Sequence, residues 1–468
     1  MDFTKELQKL EKLERKVFSL KPHWPKKVNN FQINPTLEIF LSNWKFSQSR
    51  TNPKKQKEWL LVWKKQGDVS IQAKPASKEE LLALKMVAEN ISLEQAAQQG
   101  NISVKALELN LKRAAKKGII LKPTPKLKRN TRIFKNTKNI DQKFIISDTF
   151  TLQWHITNVC DLHCKHCYDR TRRSPFTLEQ GYKVLDGLER FTRTNRVRGH
   201  VCFSGGNPFL SPHFFKLYKR AEQKGFSTSI LGNPVSREDL KKVIEIQKPG
   251  YYQVSLEGLP EHNDYIRGKN NFSAVIKFLK ILRELKISSA VMLTLTKENM
   301  SQILPLAKKL RGHAEYFTFN RLSQTGEGEG LGLPKKEDYQ RFLEEYIKAS
   351  ETNPIIGFKD NLINIVLERE NDKLFSGCTG FGCGAAFNFV AVLADGEVHA
   401  CRKFPSLIGN ILKQSLQEIY DSKMAKRYRR GAKECDGCSL RHACGGCLAV
   451  TSGCKKDILK DKDPYCFK

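Results

Sequence analysis

Thirteen cysteines in a 468-residue chain are where chemistry is first to be sought. Three of them, Cys160, Cys164 and Cys167, are spaced C-x3-C-x2-C in the segment HITNVCDLHCKHCYD. Three thiolates on one short loop can hold three irons of a four-iron cluster and leave the fourth iron open to a substrate or cofactor. Zinc is the competing chemistry, but a structural zinc takes a closed set of four ligands. His163 or His166 could complete such a set, although loop packing is the plainer role for either. Nine more cysteines fall between 378 and 468. Cys378-x4-Cys383 is followed by Cys401, by the tight group Cys435-x2-Cys438-x5-Cys444-x2-Cys447, and by Cys454 and Cys466. Eight thiolates suffice for two closed four-iron clusters; zinc ribbons are the alternative for the paired C-x2-C steps. Cys202 stands alone in an apolar strand and reads as a buried thiol.

Composition narrows the setting. With 40% hydrophobic and 28% charged residues, the chain is ordinary for a globular protein rather than a disordered one. No stretch approaches the ~20 apolar residues of a membrane span. The N-terminal MDFTKELQKLEKLERKVF lacks the apolar core of a secretion signal. A cytoplasmic, reducing compartment follows as the expectation, where structural disulfides are rare and cysteines serve metals or redox chemistry. The formal net charge is +32, with 31 Lys/Arg against 14 Asp/Glu in residues 1–150 alone. Between Leu109 and Ile140 there are eleven Lys/Arg and no acid. Such a surface attracts an acidic peptide, an acidic protein or nucleic acid, unless it is only a solvated linker.

The elements that must position these cysteines can be read from periodicity. Leu7, Leu10, Leu13, Val17 and Leu20 predict a first helix, and Pro22, Pro25 and Pro35 predict irregular chain after it. Residues 58–63 and 69–73 read as a hairpin turning at Gln66-Gly67-Asp68. Helices follow over 77–90, 92–100 and 103–118, the first two opened by capping boxes, Ser77 with Glu80 and Ser92 with Gln95. Gly118 ends the third, and 119–121 is a short strand. This is a winged-helix-like order. Residues 122–148 read as a basic linker. From 150 to about 350 strands alternate with helices: 152–157, 200–203, 227–231, 251–255, 289–295 and 316–320, separated by helices such as 178–191, 212–224 and 272–285. Six βα units imply a parallel sheet, with chemistry at the C-terminal ends of its strands. A hairpin over 389–401 turns at Asp395-Gly396.

C-x3-C-x2-C just after the first strand of a βα domain resembles the radical S-adenosylmethionine (SAM) enzymes. The second strand ends in Ser204-Gly205-Gly206-Asn207-Pro208, similar to that family's GGEP loop, with Asn207 in place of glutamate. An amide oxygen still accepts a hydrogen bond from an ammonium, but without charge. The resemblance implies α/β architecture: a partial (β/α)6 barrel over 149–350, preceded by the winged-helix-like domain over 1–121 and the linker, and followed by a Cys-rich SPASM domain over 351–468. It implies that Cys160, Cys164 and Cys167 hold the catalytic cluster. SAM would then be bound by His166, Ser204, Gly205, Gly206, Asn207, Asn233, Ser255 and Arg267, and cleaved to a 5′-deoxyadenosyl radical that abstracts hydrogen. The plainer role of Asn233 and Arg267 is turn and cap chemistry. In the SPASM-like tail, the resemblance assigns Cys378, Cys383, Cys401 and Cys447 to one auxiliary cluster. Cys435, Cys438, Cys444 and Cys466 go to another, with Cys454 as the alternative to Cys466. The expected cofactors are therefore SAM and three 4Fe-4S clusters. Relatives commonly have three residues where Gly445-Gly446 gives two.

By resemblance, the substrate is a ribosomally made precursor peptide whose leader is held by the N-terminal domain along a strand edge. The segments SGGNP, FTFNRL, GCGAAFNFVAVLADGEVHACRKFPS and CGGCLAV resemble those of the selenobiotic (thio/selenooxazole) peptide maturases. A flavodoxin- or ferredoxin-like electron donor, usually acidic, would suit the basic surface. Anaerobic sulfatase maturases are a neighbouring class, but they carry an acid where this chain has Arg402. A nucleic-acid-modifying radical enzyme is favoured by charge alone, and a non-catalytic cluster-bearing regulator is the remaining reading. Thioether linkage, heterocycle formation and other C–H abstraction chemistry stay open.

Overall fold

The computed structural model describes residues 3–25, 28–68, 70–137 and 140–468. The chain divides into two compact units, Met1–Thr124 and Pro125–Lys468.

The first unit runs α1 (Phe3–Ser19), β1 (Gln32–Ile33), β2 (Glu38–Ser42), β3 (Glu58–Lys64), β4 (Ile71–Pro75), α2 (Lys78–Ala88), α3 (Leu93–Gly100), α4 (Val104–Lys117) and β5 (Ile120–Leu121). Strands β2, β3 and β4 form an antiparallel sheet in that order, and β1 pairs with β5. The apolar run of β3 is buried on both faces. Leu60 and Val62 join Leu10 and Val17 of α1, whereas Leu61 and Trp63 join Leu84, Leu107 and Leu111 of α2 and α4. Both expected capping boxes form, and Gly118 ends α4 at φ +78°. The prolines predict irregular chain up to residue 50, yet β1 and β2 lie there. Pro35 stands between the two strands, where it owes the ladder no N–H. The expected strand start at Val69 lies outside the described residues.

The second unit alternates through β6 (Thr149–Thr157), α5 (Leu178–Asn195), β7 (Arg198–Gly205), α6 (Phe214–Gln223), β8 (Ser227–Leu231), α7 (Arg237–Ile246), β9 (Tyr252–Ser255), α8 (Pro260–Arg267), α9 (Asn271–Glu284), β10 (Ser289–Leu295), α10 (Ile303–Leu310) and β11 (Tyr316–Arg321). Then come α11 (Lys336–Thr352), α12 (Ile363–Arg369), β12 (Phe389–Val392), β13 (Glu397–His399), β14 (Leu407–Asn410), α13 (Leu416–Asp421), α14 (Lys423–Arg430) and α15 (Leu448–Gly453). All six expected βα strands form, parallel and in sequence order. The sheet does not stop there. The C-terminal hairpin joins it, β12 lying parallel to β6 with Val390 opposite Leu152, so one sheet of nine strands runs β11-β10-β9-β8-β7-β6-β12-β13-β14. Alternation on β6 sends Phe150, Leu152, Trp154 and Ile156 into the main core with Phe191, Phe203 and Phe214. His155, of opposite parity, is also buried, and burial, with Arg402 adding, pulls its pKa down to about 3. It is therefore neutral.

Among the described residues of 125–148, two short 3-10 turns are the only helical elements, as Pro125 and Asn130 imply, but the segment is fastened down. Leu127, Phe134, Phe144 and Ile145 are buried. Arg129 Nη1 donates to His442 O (2.6 Å), Asn136 Nδ2 to Gly437 O (2.7 Å) and Thr137 Oγ1 to Ser439 O (2.8 Å). This strap holds the loop that carries Cys435, Cys438 and Cys444.

Among the described residues, no helix is long and apolar enough to cross a membrane.

Candidate functional site

The C-terminal ends of the parallel strands surround a cleft enclosing about 1290 Å³ of empty space, part of it open to solvent. The loop after β6 brings Cys160, Cys164 and Cys167 to its wall. Burial raises the Cys164 and Cys167 thiols, and nearby thiols add to both shifts, so the three sulfurs form one group. Neither histidine of the loop is aimed to close a zinc set. His163 Nδ1 is 2.9 Å from Arg170 Nη1, and His166 Nε2 is 2.8 Å from Glu257 Oε1.

Of the residues expected to bind SAM, His166, Ser204, Gly205, Gly206, Asn233, Ser255 and Arg267 line this cleft. Asn207 does not. Its side chain is buried behind the wall, where Oδ1 accepts from Phe209 N (3.3 Å) and Nδ2 donates to Asp161 Oδ1 (3.1 Å). The two glycines are needed chiefly for the close approach of two loops. A Cβ on Gly206 would lie 2.1 Å from Val159 O, and one on Gly205, at φ +128°, 2.1 Å from Thr157 O. Gly206 N and Asn207 N donate back to Thr157 O and Val159 O, stitching the β7 loop to the cysteine loop.

Glu257, two residues after Ser255 and given no role by the sequence reading, is the buried anion of the cleft wall. It is 1% exposed and accepts from Arg267 Nη1 (2.9 Å) and Thr294 N (2.8 Å). Burial alone would raise its pKa; His166, Arg267 and the Thr294 N–H overcome that and hold it at about 2. A fixed carboxylate therefore aims Arg267, whose Nε is buried without a partner among the described residues. An orphaned guanidinium N–H on the wall of a cleft fits a carboxylate-bearing ligand. Three cysteines, two loop glycines and this arginine are thus a donor set that fits an open-iron cluster with SAM.

Sequence reasoning also missed the role of Arg321, which stands at the end of β11 within the segment FTFNRL. It is 2% exposed. Nε donates to Asp360 (2.7 Å), and Nη1 and Nη2 donate to Asp463 at 2.8 and 2.6 Å. Asp463 Oδ2 in turn accepts from Cys447 N (2.8 Å). One buried ion cluster so ties the cleft to the cysteine-rich tail.

In that tail the thiols fall into two groups. Burial pushes Cys383 up to about 12, with Cys447, Cys401 and Cys378 adding to the rise. Cys435, Cys438, Cys444 and Cys466 line a second, smaller pocket. Cys454 does not line that pocket, and burial raises its thiol with Asp463 adding to the rise. Gly445 and Gly446 take φ +73° and +63°, and a Cβ on Gly446 would lie 2.8 Å from Asp463 Cβ. Two left-handed glycines thus make the short step from Cys444 to Cys447.

Residues 154–310 match the radical SAM superfamily, and residues 383–447 match the SPASM iron-sulfur cluster-binding domain. The AdoMet-dependent heme synthase of Methanosarcina barkeri is 24% identical over 344 residues, which cover 68% of this chain and 95% of that one. The subtilosin biosynthesis protein AlbA of Bacillus subtilis is 27% identical over 330 residues, 64% of this chain and 68% of that one. The crystal structure of Streptococcus suis SuiB bound to precursor peptide SuiA shares the fold, with a TM-score of 0.54 at 17% identity, over 94% of this chain and 100% of that one. The chain thus carries a radical SAM domain and a SPASM iron-sulfur cluster-binding domain, and it is an enzyme with SAM and 4Fe-4S clusters as cofactors.

Proposed function

We propose that this chain matures a ribosomally made precursor peptide by radical hydrogen abstraction. Carrying the reading is the reach of the SuiB likeness, which spans nearly the whole chain, first unit included. When bound, the clusters and SAM supply one-electron hydrogen-abstraction chemistry; the protein positions and excludes water. Cys160, Cys164 and Cys167 hold the catalytic cluster in this reading. Arg267, aimed by Glu257, takes the SAM carboxylate, and the backbone of Gly205 and Gly206 lines the methionine end. The tail holds two auxiliary clusters in the grouping described above, three clusters in all. Replacing Cys466 with alanine is then expected to remove about four irons, whereas Cys454→Ala leaves the count unchanged; iron and sulfide assays on the reconstituted variants decide between them.

The first unit serves as the winged-helix-like leader-recognition domain. Edge strand β2 exposes Ile39 and Leu41, and Trp59 opposite Leu41 is exposed as well, at 46%, 44% and 44%. An extended leader added beside β2 gains backbone hydrogen bonds and covers these side chains. Ile39→Glu with Leu41→Glu should weaken leader binding about tenfold or more in fluorescence anisotropy, while SAM cleavage without peptide stays unchanged. The thio/selenooxazole subgroup, a cytoplasmic site and an acidic flavodoxin- or ferredoxin-like donor belong to the same proposal.

A porphyrin substrate is the second reading, favoured by the heme synthase match over 95% of that protein's length. It leaves about a third of this chain without a role. The decisive experiment offers the reconstituted enzyme a precursor peptide encoded beside its gene and, separately, an iron porphyrin. A mass change in the peptide alone supports maturation; turnover of the porphyrin alone overturns it.

A further inference from the structure

The acids around the three-thiolate loop are matched with cations, apart from one. Glu257 pairs with Arg267 and His166, and Asp169 with Arg173. Asp161, the residue directly after Cys160, is held by neutral donors, two side-chain amides and the Cys160 thiol. Its Oδ1 accepts from Asn233 Nδ2 at 2.6 Å and from Asn207 Nδ2 at 3.1 Å. It stands 4.0 Å from Cys160 Sγ, and it forms no ion pair among the described residues.

The orientation of both amides is fixed by their other ends. Asn207 Oδ1 is spent on Phe209 N, so its NH2 must face Asp161. Asn233 Oδ1 accepts from Arg267 Nη2 at 3.4 Å, so its NH2 faces Asp161 too. One asparagine side chain therefore separates a fixed carboxylate from a fixed guanidinium. That guanidinium keeps a buried Nε–H without a partner. An α-amino-acid head group, with ammonium and carboxylate on one carbon, complements this arrangement: ammonium toward Asp161, carboxylate toward Arg267. Asp161 is exposed and lies between Cys160 and Leu162, which line the cleft, as does Asn233. Besides Glu257, Asp169 and Arg267, the charged groups of the cleft wall are cations, Arg170, Arg321, Arg402 and Lys403, which repel an ammonium from elsewhere.

We infer that Asp161 is the anion that receives the ammonium of SAM, with Asn233 as the spacer between the two ends of the head group. The same geometry accounts for Asn207. A glutamate or aspartate there would set a second carboxylate beside Asp161, and like charges at that separation resist joint ionisation. The acid has moved from the β7 loop to the cysteine loop, and position 207 now donates to it.

The inference rests on the SAM-binding reading above, and the test separates the two. Full-length enzyme with intact clusters, checked by iron content, is titrated calorimetrically with SAM and with 5′-methylthioadenosine, which lacks the amino-acid head group, without reductant. Asp161→Asn should bind SAM about 10- to 100-fold more weakly and methylthioadenosine unchanged. The charge swap, Asp161→Asn with Asn207→Asp, should recover a large part of the SAM affinity. In Asp161→Asn, the change that SAM makes to the reduced cluster's electron paramagnetic resonance spectrum should need correspondingly more SAM. Equal SAM affinity in wild type and Asp161→Asn overturns the inference, as does a parallel loss for both ligands that the swap leaves uncorrected. Wild-type enzyme with full clusters and no SAM binding overturns the underlying reading instead.

Discussion

Replacing Cys160, Cys164 and Cys167 together with alanine is expected to lower bound iron from about twelve to about eight atoms per chain and to abolish 5′-deoxyadenosine formation. The two effects must appear together. The three thiols share one loop on the cleft wall, whereas the tail's thiols sit in their own two groups, so removal of the first set leaves the others intact. Anaerobic reconstitution, iron and sulfide counting, and chromatography of products after addition of SAM and dithionite give both numbers from one preparation. Zinc in place of iron, or full clusters in wild type with no deoxyadenosine, would contradict the assignment.

The largest expected effect on stability lies at Arg321. Its guanidinium neutralises Asp360 and Asp463 in the interior and lies over the rings of Tyr339 and Tyr465, at 5.3 and 5.5 Å. Removing the cation leaves two buried carboxylates facing each other. Arg321→Met should therefore cost about 3–5 kcal/mol, read as a shift in urea midpoint. Arg321→Lys should recover only part, because an ammonium cannot fork to two carboxylates in one plane. The damage should reach the tail clusters, since Asp463 also receives the N–H of Cys447. A variant that matches wild type in both midpoint and iron content would show this ion cluster to be incidental.

These two predictions differ in how visible their residues are in the sequence. The cysteine loop announces itself by spacing, and the six parallel strands by runs of apolar, β-branched residues between helical periods. Glu257 and Asp161 were in plain view beside recognised motifs, but their roles depend on which donors the fold brings to them. Glu257 meets His166 from the cysteine loop, Arg267 from α8 and the backbone of β10. Asp161 meets amides from the ends of β7 and β8. Arg321 stands in the quoted segment FTFNRL, but nothing local gives it a role, since its partners lie 39 and 142 positions along the chain. The joining of β12 to β6 was hidden for the same reason. Local pattern finds a hairpin, but which sheet the hairpin enters is a non-local packing outcome. Strand β2 was missed because Pro35 nearby outweighed a short apolar run, Ile39-Phe40-Leu41, at a sheet edge.

That joining has a practical consequence for anyone wishing to trim the enzyme. β6 carries the catalytic cysteine loop at its end and is flanked by β7 on one side and β12 on the other. Cutting away the cysteine-rich tail would not yield a smaller SAM-cleaving core. It would strip the hydrogen-bonding partner from the strand that positions the chemistry and leave a bare ladder edge of Thr151, Gln153 and their neighbours facing solvent. Bare edges recruit other chains. The truncated product should collect as aggregate, and an apparent need for the tail in catalysis would then be measuring solubility.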